Sequence, residues 1–230
     1  MNAAKTLDCE LFIYLVLLFL LSHHNKTSYF LISGFRDTIR CFSIISTIMS
    51  EVTIRLFTPN DQNIVAALYK SGENAHIEIP IVGQCYKWFV NDKLKDDGDI
   101  SNIETVFMSD SKKGGFWIAE FEGNIVGFVG AYPSTRFTED YIEIVRMFVS
   151  PEVRGKSIGT KLLQAVEEWA IALGYKNMYL TTLAGFPAAN VLYPKCGFTL
   201  YEGVNIDVTD VLNADTTTTV CVNHYTKNIA

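Results

Sequence analysis

The stretch from Tyr141 to Gly174, YIEIVRMFVSPEVRGKSIGTKLLQAVEEWAIALG, leaves the chain few ways to fold. Ile142, Ile144, Val145, Met147, Phe148 and Val149 form a near-continuous apolar run, the pattern of a strand covered on both faces. Ser150-Pro151-Glu152 ends it, and Arg154-Gly155-Lys156-Ser157-Ile158-Gly159-Thr160 leads straight into a helical period. Ile158, Leu162, Ala165, Val166, Trp169, Ala170 and Leu173 fall on one face at spacings of three and four, and Gly174 stands where such a helix stops. A strand that turns through glycines into a helix N-terminus makes an anion site, because free backbone N–H groups and the positive end of the helix dipole converge there. Arg154 and Lys156 flank it. The same pattern also suits a plain tight turn, so the turn alone does not settle function.

The rest of the chain places this unit in a sheet. Lys176 to Thr182 reads as a second strand after the helix, which makes a βαβ unit with parallel neighbours. Phe116 to Glu122 and Ile125 to Ala131 read as a hairpin joined by Gly123-Asn124. Val52 to Phe57 is a first strand. Thr58-Pro59-Asn60-Asp61 opens a short helix, capped by Asn60 or Asp61, with Ile64, Ala67 and Leu68 as its apolar face and an end near Gly72. Gln84 to Leu94 is a second helix, and the loop with Asp96, Asp97 and Asp99 reads as solvated surface. Phe186 to Lys195 is a short helix broken at Cys196-Gly197. Phe198 to Tyr201 and Thr218 to Tyr225 close the chain as an antiparallel pair with a long loop between them. The expected class is α+β, a mixed, mostly antiparallel sheet of about six to seven strands with helices on both faces.

Charge and cysteines exclude some functions. The net charge is −6 and no basic stripe is visible, which argues against nucleic acid as a partner. The five cysteines are scattered and form no Cys-x-x-Cys pair. A disulfide framework and a metal site are therefore not expected, and reduced thiols in a cytoplasmic protein are.

The turn resembles the acetyl-CoA binding region of the GNAT superfamily of N-acetyltransferases. That pattern is Arg or Gln, two residues, Gly, one residue, then Gly or Ala. Arg154 and Gly159 fit it, and Ser157 stands where the family has its middle glycine. Leu192 to Phe198, LYPKCGF, resembles the family's closing helix and strand at a fitting distance from the first block. The resemblance runs from about Val52 to Tyr225. It implies acetyl transfer from acetyl-CoA to the primary amine of a small molecule or peptide. Met147, Phe148 and Val149 would then meet acetyl-CoA mainly through backbone atoms, beside a parallel strand that splays away. Arg154, Gly155, Lys156, Ser157, Gly159 and Thr160 would line the pyrophosphate turn. A non-catalytic acyl-CoA-binding module is the alternative.

Two residues carry the expected proton transfers. Tyr193 occupies the tyrosine of the closing block and is the candidate acid. A phenol and a thiol have nearby ordinary pKa values, about 10 and 8.5, so donation to a leaving thiolate is chemically reasonable. Glu143 is the candidate base, a carboxylate inside an apolar strand where burial raises its pKa toward the useful range. Arg146 falls on the opposite face by alternation, so a pair with Glu143 is not expected. Many family members carry an asparagine seven residues before the tyrosine; here that position is Phe186, and Asn190 does not replace it. His76 and His224 are spare alternatives for the base and otherwise read as surface residues.

Residues 1–50 differ in character from residues 51–230, which we read as the acetyltransferase domain. Leu11 to Leu21, LFIYLVLLFLL, is an unbroken apolar run. As a helix it would be roughly 16 Å long, against a hydrocarbon core of about 30 Å. It is too short to span alone, and Asp8 and Glu10 beside it make a poor signal peptide. A membrane anchor, a weak targeting segment and a stretch outside the working protein are the three readings. Met49-Ser50-Glu51 looks like an ordinary start for the family, which favours the third. The block from Gly114 to Phe198 also resembles camello-like acetyltransferases, which carry membrane segments before the catalytic domain and would give the run a purpose.

Overall fold

The computed structural model describes residues 51–72, 79–109 and 114–230. The apolar run 11–21 and His76 lie outside the described residues. Among the described residues, seven strands form one sheet in the order β1-β2-β3-β4-β5-β7-β6. They are β1 (Thr53–Leu56), β2 (Gly115–Phe121), β3 (Asn124–Pro133), β4 (Tyr141–Val149), β5 (Asn177–Leu183), β6 (Thr199–Asp207) and β7 (Thr219–Asn228). Only β4 and β5 run parallel; every other neighbour is antiparallel. Helices α1 (Gln62–Ser71), α2 (Pro80–Lys93) and α3 (Ile103–Phe107) precede β2. Helix α4 (Ile158–Ala172) links β4 to β5, α5 (Pro187–Lys195) follows β5, and α6 (Thr209–Leu212) joins β6 to β7. Among the described residues no helix is long and apolar enough to cross a membrane.

The sheet separates two cores. On one face α4 buries Ile158, Leu162, Leu163, Val166 and Ala170 against Ile142, Ile144, Val129 and Met178. Its stripe departs from the expected one at Leu163, which is buried, and at the end, where Leu173 caps the helix and is 50% exposed; Ala165 and Trp169 are partly buried. On the other face α1 and α3 cover an aromatic core of Phe57, Phe107, Phe116, Phe128 and Phe148, with Phe128 stacked on Phe148 at 5.3 Å. Full burial of each such ring contributes roughly 1.5–3 kcal/mol. The face of α1 is one residue off the expected one. Val65 and Tyr69 point inward and Ile64 is 49% exposed, because a 3-10 turn at Pro59–Asp61 rotates the helix start.

Other boundaries shift for identifiable reasons. Helix α2 begins at Pro80, whose fixed φ suits a first helical position. The hairpin turns at Glu122-Gly123, one residue before the expected pair. Phe121 stands opposite Asn124, and both turn residues take positive φ, 51° and 75°, as a primed turn requires. The segment expected as a long loop holds the second half of β6 and helix α6, with the Asp207 carboxylate accepting from Thr209 N–H at 2.9 Å.

Candidate active site

The β4–β5 ladder is short. Tyr141 to Ile144 pair with Asn177 to Leu180, and the parallel pairing stops there. Beyond it β4 pairs only with β3, and Thr181 to Leu183 pair only with β7. A wedge therefore opens between the strands, with the edge of Val145 to Val149 free of a strand neighbour. Its far end is the turn into α4.

Two residues in that turn are left-handed, Gly155 at φ 83° and Ser157 at φ 58°. Glycine accepts this conformation freely, whereas serine is strained there by about 1 kcal/mol. Ser157 forms no side-chain cap; its carbonyl accepts the Lys161 N–H at 3.0 Å. The N–H groups of Ile158, Gly159 and Thr160 precede that bond and have no helical partner. Gly159 is tightly packed: a Cβ there would lie 2.9 Å from Leu192 Cδ2 and 3.1 Å from Met147 Cε. Lys156 Nζ lies 4.7 Å over the Phe121 ring, and Arg154 is exposed. The Thr160 hydroxyl faces Cys196 Sγ at 3.9 Å, so its contribution to the turn is its backbone.

A bulge divides β4. Arg146 and Met147 together oppose Val129, since Phe128 pairs with Phe148 and Gly130 with Val145. Arg146 takes φ 54° to make it. Met147 then faces α4 and α5, Phe148 the aromatic core, and Val149 the α4 side. Tyr193 is buried on the α4 side, its hydroxyl 3.9 Å from Met147 Sδ and its ring against Phe198 and Tyr225. Burial pushes its pKa above the ordinary phenol value, so it remains protonated at neutral pH. Asn190 is fully engaged elsewhere. It donates to the Phe186 carbonyl at 2.8 Å and accepts from Asn223 and the Tyr225 hydroxyl, which ties α5 to β7. Phe186 meets the Tyr86 ring edge-on at 5.0 Å.

Glu143 lies on the opposite face, because its neighbours Ile142 and Ile144 point toward α4. Burial pushes its pKa above the usual carboxylate value; Ser134, which donates to it at 3.4 Å, and the charges of Arg146 and Arg136 oppose that rise. Simple alternation would have placed Arg146 away from Glu143, but the bulge turns it back to the same face. It still forms no ion pair with Glu143. Its partner is Asp99, at 2.7 Å with both side chains largely buried, and its guanidinium lies 4.7 Å over the Phe89 ring. Asp99 is thus a structural partner rather than solvated surface.

His224 also departs from expectation, being 5% exposed with Nδ1 2.5 Å from the Tyr179 hydroxyl. Arg136, from the β3–β4 loop, sits 5.9 Å over Tyr179 and 2.5 Å from Glu202. No local sequence signal marks this group, because its members come from β5, β6, β7 and the β3–β4 loop.

Comparison with known proteins fits this geometry. Residues 82–198 match the model of the acetyltransferase (GNAT) family, just over half of the chain. The chain belongs to the GNAT family. An uncharacterised N-acetyltransferase of Escherichia coli K12, YjgM, is 35% identical over 98 residues, 42% of this chain and 59% of that protein. The probable N-acetyltransferase camello of Xenopus tropicalis is 39% identical over 100 residues, 44% of this chain and 45% of that one. Mouse N-acetylaspartate synthetase is 36% identical over 100 residues, 44% of this chain and 32% of that one. The matches thus cover between 32% and 59% of these relatives' own length. Among solved structures, an N-acetyltransferase of Staphylococcus aureus Mu50 shares the fold with a TM-score of 0.60 at 21% identity, over 79% of this chain and all of that one.

Proposed function

We propose that this GNAT chain transfers the acetyl group of acetyl-CoA to a primary amine of a small molecule or peptide. The observation that carries the reading is the wedge between β4 and β5. It leads from the free amides of the α4 turn to a point with Tyr193 on one face of the sheet and Glu143 on the other. The residues suit acetyl-CoA. Ile158, Gly159 and Thr160 offer backbone donors for a pyrophosphate, and the free edge of Met147 to Val149 offers ladder groups to an extended arm. Acetyl-CoA supplies the acyl group as a thioester.

The residues then divide the work by face. On the acceptor side Glu143 takes the proton that the amine must lose. Its raised affinity for protons makes it a better base than a solvated carboxylate. On the α4 side Tyr193, kept protonated by burial, gives its proton to the departing sulfur. Free N–H groups on β4 offer hydrogen bonds to the thioester oxygen, and alignment of the two partners supplies much of the rate. The activity resides in residues 51–230, and the cytoplasm is the proposed location. Kinship with N-acetylaspartate synthetase makes amino acids the first acceptors to try.

The test is release of coenzyme A across a panel of amino acids, other amines and peptides. Release above the hydrolysis rate is expected with at least one class. Tight acetyl-CoA binding with no release for any acceptor would identify a binding module instead.

A further inference from the structure

Glu143, Tyr179 and His224 stand in a row on the sheet face away from α4. Glu143 is directly opposite Tyr179 in the β4–β5 ladder. His224 is opposite Thr181, two residues beyond Tyr179, and Glu202 is opposite His224 on β6. The period of two puts all of them on one face. Neighbouring strands lie about 4.8 Å apart, well within the reach of a tyrosine hydroxyl, so Tyr179 is placed to donate to Glu143. It does not. Its hydroxyl turns to β7 and meets His224 Nδ1 at 2.5 Å. Phe137 braces the ring edge-on at 4.9 Å.

His224 has a poor environment for a merely structural residue. Its Nε2 is buried with no hydrogen-bond partner among the described residues. Leaving such an atom unsatisfied costs roughly 1–3 kcal/mol, which an apolar residue on β7 would avoid. Burial, then the charge of Arg136, lowers its pKa against the opposing pull of Glu202, so the ring is neutral at neutral pH. A neutral imidazole can accept the phenol proton at Nδ1.

We propose that His224 is a positioning residue that holds the Tyr179 hydroxyl on the β7 side of the sheet and leaves the Glu143 carboxylate free to accept the proton of the acceptor amine. The inference rests on the reading of Glu143 as base. Without the imidazole, the phenol has the Glu143 carboxylate beside it as a replacement acceptor. A phenol that donates to a carboxylate stabilises the charged form and weakens the base. The other groups facing Glu143 have their own engagements. Arg136 is paired with Glu202 and Arg146 with Asp99. Ser134 donates weakly at 3.4 Å, and Tyr132, opposite on β3, stacks on Phe107 with its pKa pushed up to about 12.

The experiment follows the Glu143 carboxyl by carbon-13 NMR titration of the substrate-free full chain, alongside the pH profile of kcat/KM. In His224→Phe, the Glu143 midpoint and the acidic limb should both fall by about one pH unit. His224→Gln, whose side-chain oxygen can still take the phenol proton, should keep the wild-type midpoint. Tyr179→Phe alone should leave it in place, and Tyr179→Phe combined with His224→Phe should restore it. If the bulkier ring disturbs folding, His224→Ala must lower the midpoint in the same way. An unmoved midpoint in a folded His224 variant, a shift that persists without the Tyr179 hydroxyl, or a shift in Tyr179→Phe alone overturns the proposal. Failure of the base reading shows separately, as wild-type rates in Glu143→Gln, because the NMR midpoint does not depend on catalysis.

Discussion

The stretch from the end of β4 through the turn into α4, Met147 to Thr160, is made of consecutive residues. The face around Glu143 draws Asp99, Tyr132, Arg136, Tyr179, Glu202 and His224 from separate segments of the chain. The two regions meet at the wedge but depend on different physics. The turn is held by backbone conformation and by one close helix contact at Gly159. The acceptor face is held by side-chain pairs across long sequence separations, so it fails one pair at a time.

If this contrast is right, Gly159→Glu should have the largest effect. It forces bulk against Leu192 and Met147 and places negative charge at the positive end of α4. Acetyl-CoA affinity measured by calorimetry should fall by at least about 100-fold, with the fold intact by circular dichroism. Unchanged affinity would break the assignment of the turn. Glu143→Gln comes next. Its kcat near neutral pH should drop about 10²-fold, with acetyl-CoA affinity retained, and the acidic limb should vanish. The sign follows from the raised carboxyl pKa: wild-type activity appears as pH rises through it, above the ordinary carboxylate range.

Tyr193→Phe sharpens the division between the faces. A smaller loss of kcat, about 10-fold, is expected with the acidic limb still in place, because the carboxylate is untouched. A moved limb would mean that the two faces are not chemically separate. Asp99→Ala tests the acceptor face as a structure. It leaves the Arg146 guanidinium buried and unpaired and should cost about 3 kcal/mol in urea unfolding, with a higher KM for the amine. The smallest effect is expected from a chain shortened to begin at Met49, which should keep the full-length kcat. Loss of activity there would give residues 1–48 a part in the site.

The same contrast explains what could be read from the sequence. The strand, turn and α4 were legible because periodicity and glycine spacing are local signals, and the parallel pairing followed from them. The hairpin was legible to within one residue, since Glu122 rather than Asn124 accepts the left-handed position. The faces were harder. Strict alternation puts Arg146 on the face away from Glu143, and one bulged residue reverses it. Asp99 resembled its solvated neighbours Asp96 and Asp97, and only the fold brings it to Arg146. His224 was illegible for the same reason: its burial depends on β7 lying between β5 and β6.

That insertion of β7 also has a consequence for how the molecule is made. In chain order β6 comes straight after β5 and its helix, yet the two never pair with each other, because β7 lies between them. Until Thr219 to Asn228 emerge, β5 has only four residues of parallel ladder to hold it, and β6 has no strand at all. Non-local pairing of this kind is slow and leaves edges exposed while it waits. Asn190 and Tyr179 acquire their β7 partners, Tyr225 and His224, in that same final step. The β4–α4 turn can therefore form from local contacts, but the face around Glu143 is complete only when β7 fills the gap between β5 and β6.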